Sequence, residues 1–165
     1  MHEPYNLSRK IIGFDTFEGF PSVRKEDGSA AEVREGAYGI GVDYVGTLRE
    51  LLEAQEALAP RSHIRKHEVI VGDVVETLPA YLEAHPETII ALAYLDLDLY
   101  EPTKKVLETI RPYLVKNSVI GFDELVYDKF PGETEALRAA WGHNQFELFR
   151  EPWAPQQSYV IFGTP

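Results

Sequence analysis

Apolar residues in this chain come in short dense blocks separated by Gly, Pro and charged residues. Residues 10–15 (K-I-I-G-F-D), 67–71 (H-E-V-I-V), 89–96 (I-I-A-L-A-Y-L-D) and 119–123 (V-I-G-F-D) are brief and rich in β-branched and aromatic side chains, which predicts strands. Between them the period lengthens. Leu48, Leu51, Leu52 and Leu58 predict a helix over 45–58, closed by Pro60. Residues 74–84 predict a second helix with an early kink at Pro79, and 101–114 a third, with Pro102 in a first turn where a missing N–H costs little. A short fourth helix is expected over 132–141. Residues 146–150 and 158–162 read as two closing strands with a short connection, hence an antiparallel pair. The Gly- and Pro-punctuated stretch 17–44 has few periodic apolar positions. It is long for a connection and reads as a lid or binding loop.

Strand and helix therefore alternate. That order predicts one α/β domain with a mostly parallel sheet, helices on both faces and an antiparallel pair at the end. Ligands of such sheets bind at the carboxyl ends of the strands. Two of those ends are strongly acidic: Asp96 and Asp98 after one strand, Asp123 and Glu124 after the next. Carboxylates converging in one cleft suit a hard cation such as Mg²⁺. The plainer alternative is solvated carboxylates at helix N-termini, where the dipole favours them. Asp98 lies on the same strand face as Asp96 and is expected to support it or to cap the next helix. Asp15 and the pair Gly72-Asp73 end the other two strands. Asp15 reads either as a ribose ligand or as a turn residue, and Asp73 as a ligand edge or a helix cap.

Composition narrows the classes. The 165 residues carry a formal charge of -11, which disfavours nucleic acid as a partner. There is no Cys, so thiolate catalysis and Cys-based zinc sites are excluded. No apolar run reaches membrane-spanning length, and the first residues lack the apolar centre of a signal peptide, so a cytoplasmic location is expected. His2, His63, His67, His85 and His143 are scattered and read as structural or solvated.

Five motifs in order resemble the macrocin O-methyltransferase family: F-D-T-F-E-G-F-P (14–21), V-G-D-V-V-E-T-L-P (71–79), Y-L-D-L-D-L-Y-E-P-T (94–103), V-I-G-F-D-E-L (119–125) and F-P-G-E-T-E-A-L (130–137). These are class I S-adenosylmethionine-dependent enzymes that act on sugar hydroxyls of natural products. The resemblance implies their Rossmann-like three-layer fold. It implies that Asp15, with Thr16 and Phe17 beside it, contacts the adenosyl ribose, and that Gly72 and Asp73 lie by the adenine. Asp96, Asp123 and Glu124 would be Mg²⁺ ligands beside a sugar or natural-product acceptor. No histidine in 18–44 matches the family's general base, so no catalytic residue is assigned.

The family's opening strand and Gly-rich turn have no match, so the first strand here corresponds to the family's second. The vacancy this leaves in the sheet predicts either direct pairing of the strands ending at Asp15 and Asp96, or a homo-oligomer formed by strand exchange, or a place within a longer protein. Three functions are then expected in descending order. The first is a Mg²⁺-assisted O-methyltransferase. The second is a catalytically silent truncated homologue acting as a binding or assembly module. The last is an unrelated phosphoryl-transfer domain, which lacks the expected lysine.

Overall fold

Each apolar block that precedes a carboxylate becomes a strand, and the strands pair in parallel twos. The computed structural model describes residues 5–142 and 144–163 of the chain; His2 and His143 lie outside them. Strand β1 (Ile11–Asp15) pairs in parallel with β2 (His67–Val71), bringing Asp15 opposite Val71. Strand β3 (Ile90–Leu95) pairs in parallel with β4 (Leu114–Phe122). Strands β5 (Leu148–Glu151) and β6 (Ala154–Ile161) are antiparallel as expected, and β6 also runs antiparallel to β4. The single sheet expected from the alternation is present as two, β1-β2 and β3-β4-β6-β5, so β1 and β3 are not joined in one ladder.

The helices are α1 (Tyr44–Ala57), α2 (Val74–Ala84), α3 (Tyr100–Ile110) and α4 (Gly132–Trp141). Among the described residues no helix is long and apolar enough to cross a membrane. The chain divides into two compact units. One holds residues up to Pro21 together with Gly36–Thr77; the other holds Ser22–Glu35 and Leu78–Pro165.

In the first unit, the motif after β1 folds back on residues 36–41. Phe17 is buried, and its carbonyl accepts the N–H groups of Ile40 and Gly41 at 3.1 and 2.8 Å. The stripe expected on α1 is rotated. Leu51 and Leu58 are exposed, and the buried positions are Val45 and Glu56. Glu56 explains the rotation: Oε1 accepts the Lys66 N–H at 2.6 Å, and Oε2 lies 3.1 Å from Nδ1 of buried His67. A glutamate with backbone and imidazole to satisfy takes the inward place over a leucine.

The second unit has a larger apolar core. Val106, Leu107 and Ile110 of α3 share a buried face with Ala136, Leu137 and Trp141 of α4, spaced three and four residues apart. Ile120, Phe122 and Val160 bring the sheet into it. Helix α3 ends at Ile110, four residues before the expected limit, in a 3₁₀ turn over Arg111–Tyr113 with Pro112 at its start. Strand β4 begins five residues earlier than its apolar run. The register jumps from Ile90 opposite Leu114 to Leu92 opposite Val119, and the intervening polar residues fill the irregularity. Ser118 makes this possible, since its hydroxyl donates to the Ile90 carbonyl at 2.6 Å and accepts the Val115 N–H at 2.9 Å. Helix α2 continues through Pro79 as one element.

Candidate active site

Tyr94 and Asp96 lie two residues apart at the end of β3, on the same strand face. Opposite Tyr94 on β4 stands Gly121, and the tyrosine ring occupies the space a Cβ there would need. This close packing directs the Tyr94 hydroxyl to Asp123 Oδ1, to which it donates a short hydrogen bond. The same Oδ1 accepts Gln157 Nε2 from β6 at 3.1 Å. Burial and the Asp123 carboxylate raise the Tyr94 pKa well above the ordinary phenol value, so the tyrosine is a donor at neutral pH.

Beyond Asp96 the chain turns sharply. Asp98 has φ of 58°, and the Leu99 N–H reaches back to the Leu97 carbonyl at 2.5 Å, closing a three-residue turn around it. This is a strained conformation for a non-glycine residue. The Asp98 carboxyl group hydrogen-bonds Glu124, and burial together with the neighbouring Glu124, Asp96 and Asp123 charges pushes its pKa up to about 7. Burial, then Asp123 and Asp96, also raise that of Glu124. The four carboxylates at the two strand ends therefore lie close enough to feel one another.

The second strand end is held as firmly. The Glu124 N–H donates to Glu133 Oε2 at 3.4 Å, and the Val126 N–H to Thr134 Oγ1 at 2.8 Å. Arg150 on β5 donates to the Leu125 carbonyl at 3.0 Å. Glu133 is fully buried, and its Oε1 accepts the Leu97 N–H at 3.2 Å. Desolvation pushes its pKa up to about 8 against the opposing pull of those two backbone donors. Asp27, from the stretch read as a lid, is buried against the same region. It accepts the Tyr100 N–H at 2.5 Å and the Arg24 N–H at 2.6 Å, capping α3 from outside the helix.

Tyr94, Asp27 and Glu133 were not among the residues picked out from the sequence. Glu133 carried a legible signal: it falls in phase with Ala136, Leu137 and Trp141 on the buried stripe of α4, where a charged residue needs a reason. Gly132 beside it is sterically required. A Cβ there would sit 2.6 Å from both the Asp98 carbonyl oxygen and the Tyr100 nitrogen, and 2.8 Å from Asp27 Oδ1. Gly132→Ala is therefore expected to lose about 2–3 kcal/mol in chemical denaturation despite the better helix propensity of alanine. Unchanged stability would mean that this turn moves freely.

Among the described residues, no three Asp, Glu, His or Cys side chains are grouped so as to hold a metal ion. Asp123 Oδ1 accepts from Tyr94 and Gln157, which leaves Oδ2 for other donors or a cation. Asp96, Asp123 and Glu124 thus have the right donor chemistry for Mg²⁺ but do not fit it as a ligand set in this arrangement.

The residues expected to meet a nucleoside lie in the first unit, at the ends of β1 and β2. Asp15 Oδ1 accepts the Phe17 N–H at 2.6 Å, and the Asp15 carbonyl accepts the Gly72 N–H at 2.9 Å. Thr16 donates to the Gly19 carbonyl at 2.8 Å. Gly72 has φ of 134°, and Asp73 Oδ1 caps α2 by accepting the Val75 N–H at 2.9 Å. Of the two roles weighed for Asp73 the helix cap is the one present, and since a carboxylate has about four lone-pair sites, one local bond leaves it acceptor capacity to spare. Phe17 is buried, and its N–H and carbonyl are already engaged by Asp15, Ile40 and Gly41.

Two solved structures of one enzyme resemble this chain over nearly its whole length. The crystal structure of CalS11, a calicheamicin methyltransferase, is 45% identical, covers 98% of this chain and superposes with a TM-score of 0.95. Over the matched length the chain has the Rossmann-like fold of a class I methyltransferase. The apo structure of CalS11, described as the TDP-rhamnose 3'-O-methyltransferase of calicheamicin biosynthesis, is 42% identical over 98% of this chain with a TM-score of 0.83. The O-methyltransferase NovP, 22% identical over 93% of this chain and 60% of its own length, shares the fold with a TM-score of 0.63. The chain spans 63% and 62% of the length of the two CalS11 chains. No protein-family model matches it, and no curated protein does.

Proposed function

We propose that this chain takes part in S-adenosylmethionine-dependent methylation of a sugar hydroxyl in a natural product or its nucleotide-sugar precursor. The observation that carries the reading is the carboxylate cluster at the ends of β3 and β4, in a chain 45% identical to a sugar O-methyltransferase. The resemblance of the five motifs to macrocin O-methyltransferases supports the same class of acceptor.

The donor supplies an electrophilic methyl group on a sulfonium. What the protein must add is an oriented hydroxyl and a destination for its proton. Asp98 suits that destination. It stands on a turn that thrusts it out of the strand line, and it hydrogen-bonds a second carboxyl group, Glu124, that can share the proton. Its pKa of about 7 matches a base working near neutrality. Asp15 and Asp73 are assigned to the hydroxyls and base edge of the nucleoside, with Thr16, Phe17 and Gly72 shaping the turns that present them.

Calorimetric titration with S-adenosylhomocysteine, and transfer of labelled methyl from S-adenosylmethionine to TDP-rhamnose, test the reading. Binding with Asp15→Ala at least tenfold weaker is the expected result. Binding without transfer to any sugar nucleotide would favour the silent binding module, and neither binding nor transfer would remove the methyltransferase reading. Repeating the titration with Mg²⁺ tests the cation. Among the described residues Asp96, Asp123 and Glu124 are not grouped as a ligand set, so Mg²⁺ should enter only if those carboxylates rearrange.

A further inference from the structure

The strained turn at Asp98 needs something to hold it. An aspartate with φ of 58° is strained and persists only where its surroundings over-determine it. Three residues do so here, none of them in the acidic cluster itself. Glu133 holds the backbone just before Asp98 through the Leu97 N–H, and the backbone after β4 through the Glu124 N–H. Asp27 holds the backbone just after, through the Tyr100 N–H. Gly132, by lacking a side chain, lets α4 approach the Asp98 carbonyl directly.

We propose that Glu133 is a positioning residue, whose buried carboxyl group ties the end of β3 to the end of β4 and, with Asp27 and Gly132, fixes Asp98 and Glu124 against each other. A purely structural explanation accounts poorly for a glutamate here. Its position on α4 faces the apolar core, where leucine or methionine would pack without desolvation cost. What an apolar residue cannot do is accept two N–H groups from different loops at once. The Val126 backbone, at φ of 64°, shows that the second loop is bent as unusually as the first. Both are braced from α4, the second also by Thr134.

As a catalytic role this rests on the methyl-transfer reading; the brace itself does not. Amide hydrogen exchange tests the brace on its own. In Glu133→Ala, the Leu97 and Glu124 amides should exchange roughly tenfold faster or more, the loss expected for one net hydrogen bond each, while the Ile120 amide in the core keeps its protection. Glu133→Gln covers the case in which the alanine variant does not fold. Its side chain has one acceptor, so one amide should stay protected and the other should accelerate. Unchanged exchange at both amides, or loss only together with Ile120, would overturn the proposal. In the transfer assay, Glu133→Gln should lower kcat about tenfold and leave KM for the donor unchanged; a change in KM alone would remove the catalytic role. A wild-type protein without transfer activity would count against the methyl-transfer reading and leave the exchange result to decide the brace.

Discussion

Asp98→Asn should lose at least about 10²-fold in methyl transfer and, at pH 8, unfold at a higher temperature than the wild type. The loss follows from removing the proton acceptor, which is worth about 10²–10⁴ in rate. The gain follows from three features of the turn. Asparagine tolerates the left-handed backbone better than most residues, keeps the size of aspartate, and can donate to Glu124 as a protonated Asp98 does. It also removes one negative charge from a crowded group. The pH dependence has a definite sign. Folding raises the Asp98 pKa from 3.8 to about 7, so the folded protein prefers the proton. The contribution of Asp98 to stability is therefore fully present below about pH 4, declines as pH rises, and levels off above about 7. The advantage of the asparagine variant should grow over that range, reaching about 1–2 kcal/mol, or roughly 2–8 °C. Calorimetric scans from pH 4 to 8.5 check this. An advantage independent of pH, or transfer within threefold of wild type, would remove Asp98 from the role given to it.

Glu133 should dominate the alkaline side of the stability curve. Its pKa rises from 4.5 to about 8 because the carboxylate has no water around it. The sign is the same as for Asp98: stability is fully present below about pH 4.5 and is lost as pH rises towards 8. The ceiling on that loss is about 5 kcal/mol, at roughly 1.4 kcal/mol for each pH unit between the two values. Glu133→Gln does not titrate. Denaturant unfolding should show the variant less stable than wild type near pH 5, where it lacks one backbone acceptor, with the difference shrinking or reversing by pH 9. A constant difference would mean that Glu133 keeps one charge state throughout.

The order of elements was legible because each strand is a compact apolar block with a polar stop. The cluster at Asp96, Asp98, Asp123 and Glu124 was legible for the same reason, since the stops are acidic. Pairing was not. Whether β1 and β3 share a ladder depends on partners far apart in sequence, and no local pattern encodes it. Polar residues inside β4 hid its first half, because Lys116 and Asn117 interrupt the apolar run while Ser118 finds its bonds in β3. In the stretch read as a lid, Asp27 looked like one more surface acid. Its burial is decided by the N–H of Tyr100, which the sequence near Asp27 does not contain.

That bond also bears on how the chain assembles. Asp27 and Tyr100 are 73 residues apart, and the segment carrying Asp27 belongs with chain that follows it rather than with its immediate neighbours. Closing so long a loop costs entropy before any contact returns it, and such closures slow folding. During synthesis the segment must wait for α3 and α4 to emerge. Refolding from denaturant should therefore reach native helix content before Asp98 reaches its final geometry, so that the last part of the molecule to mature is its most reactive corner.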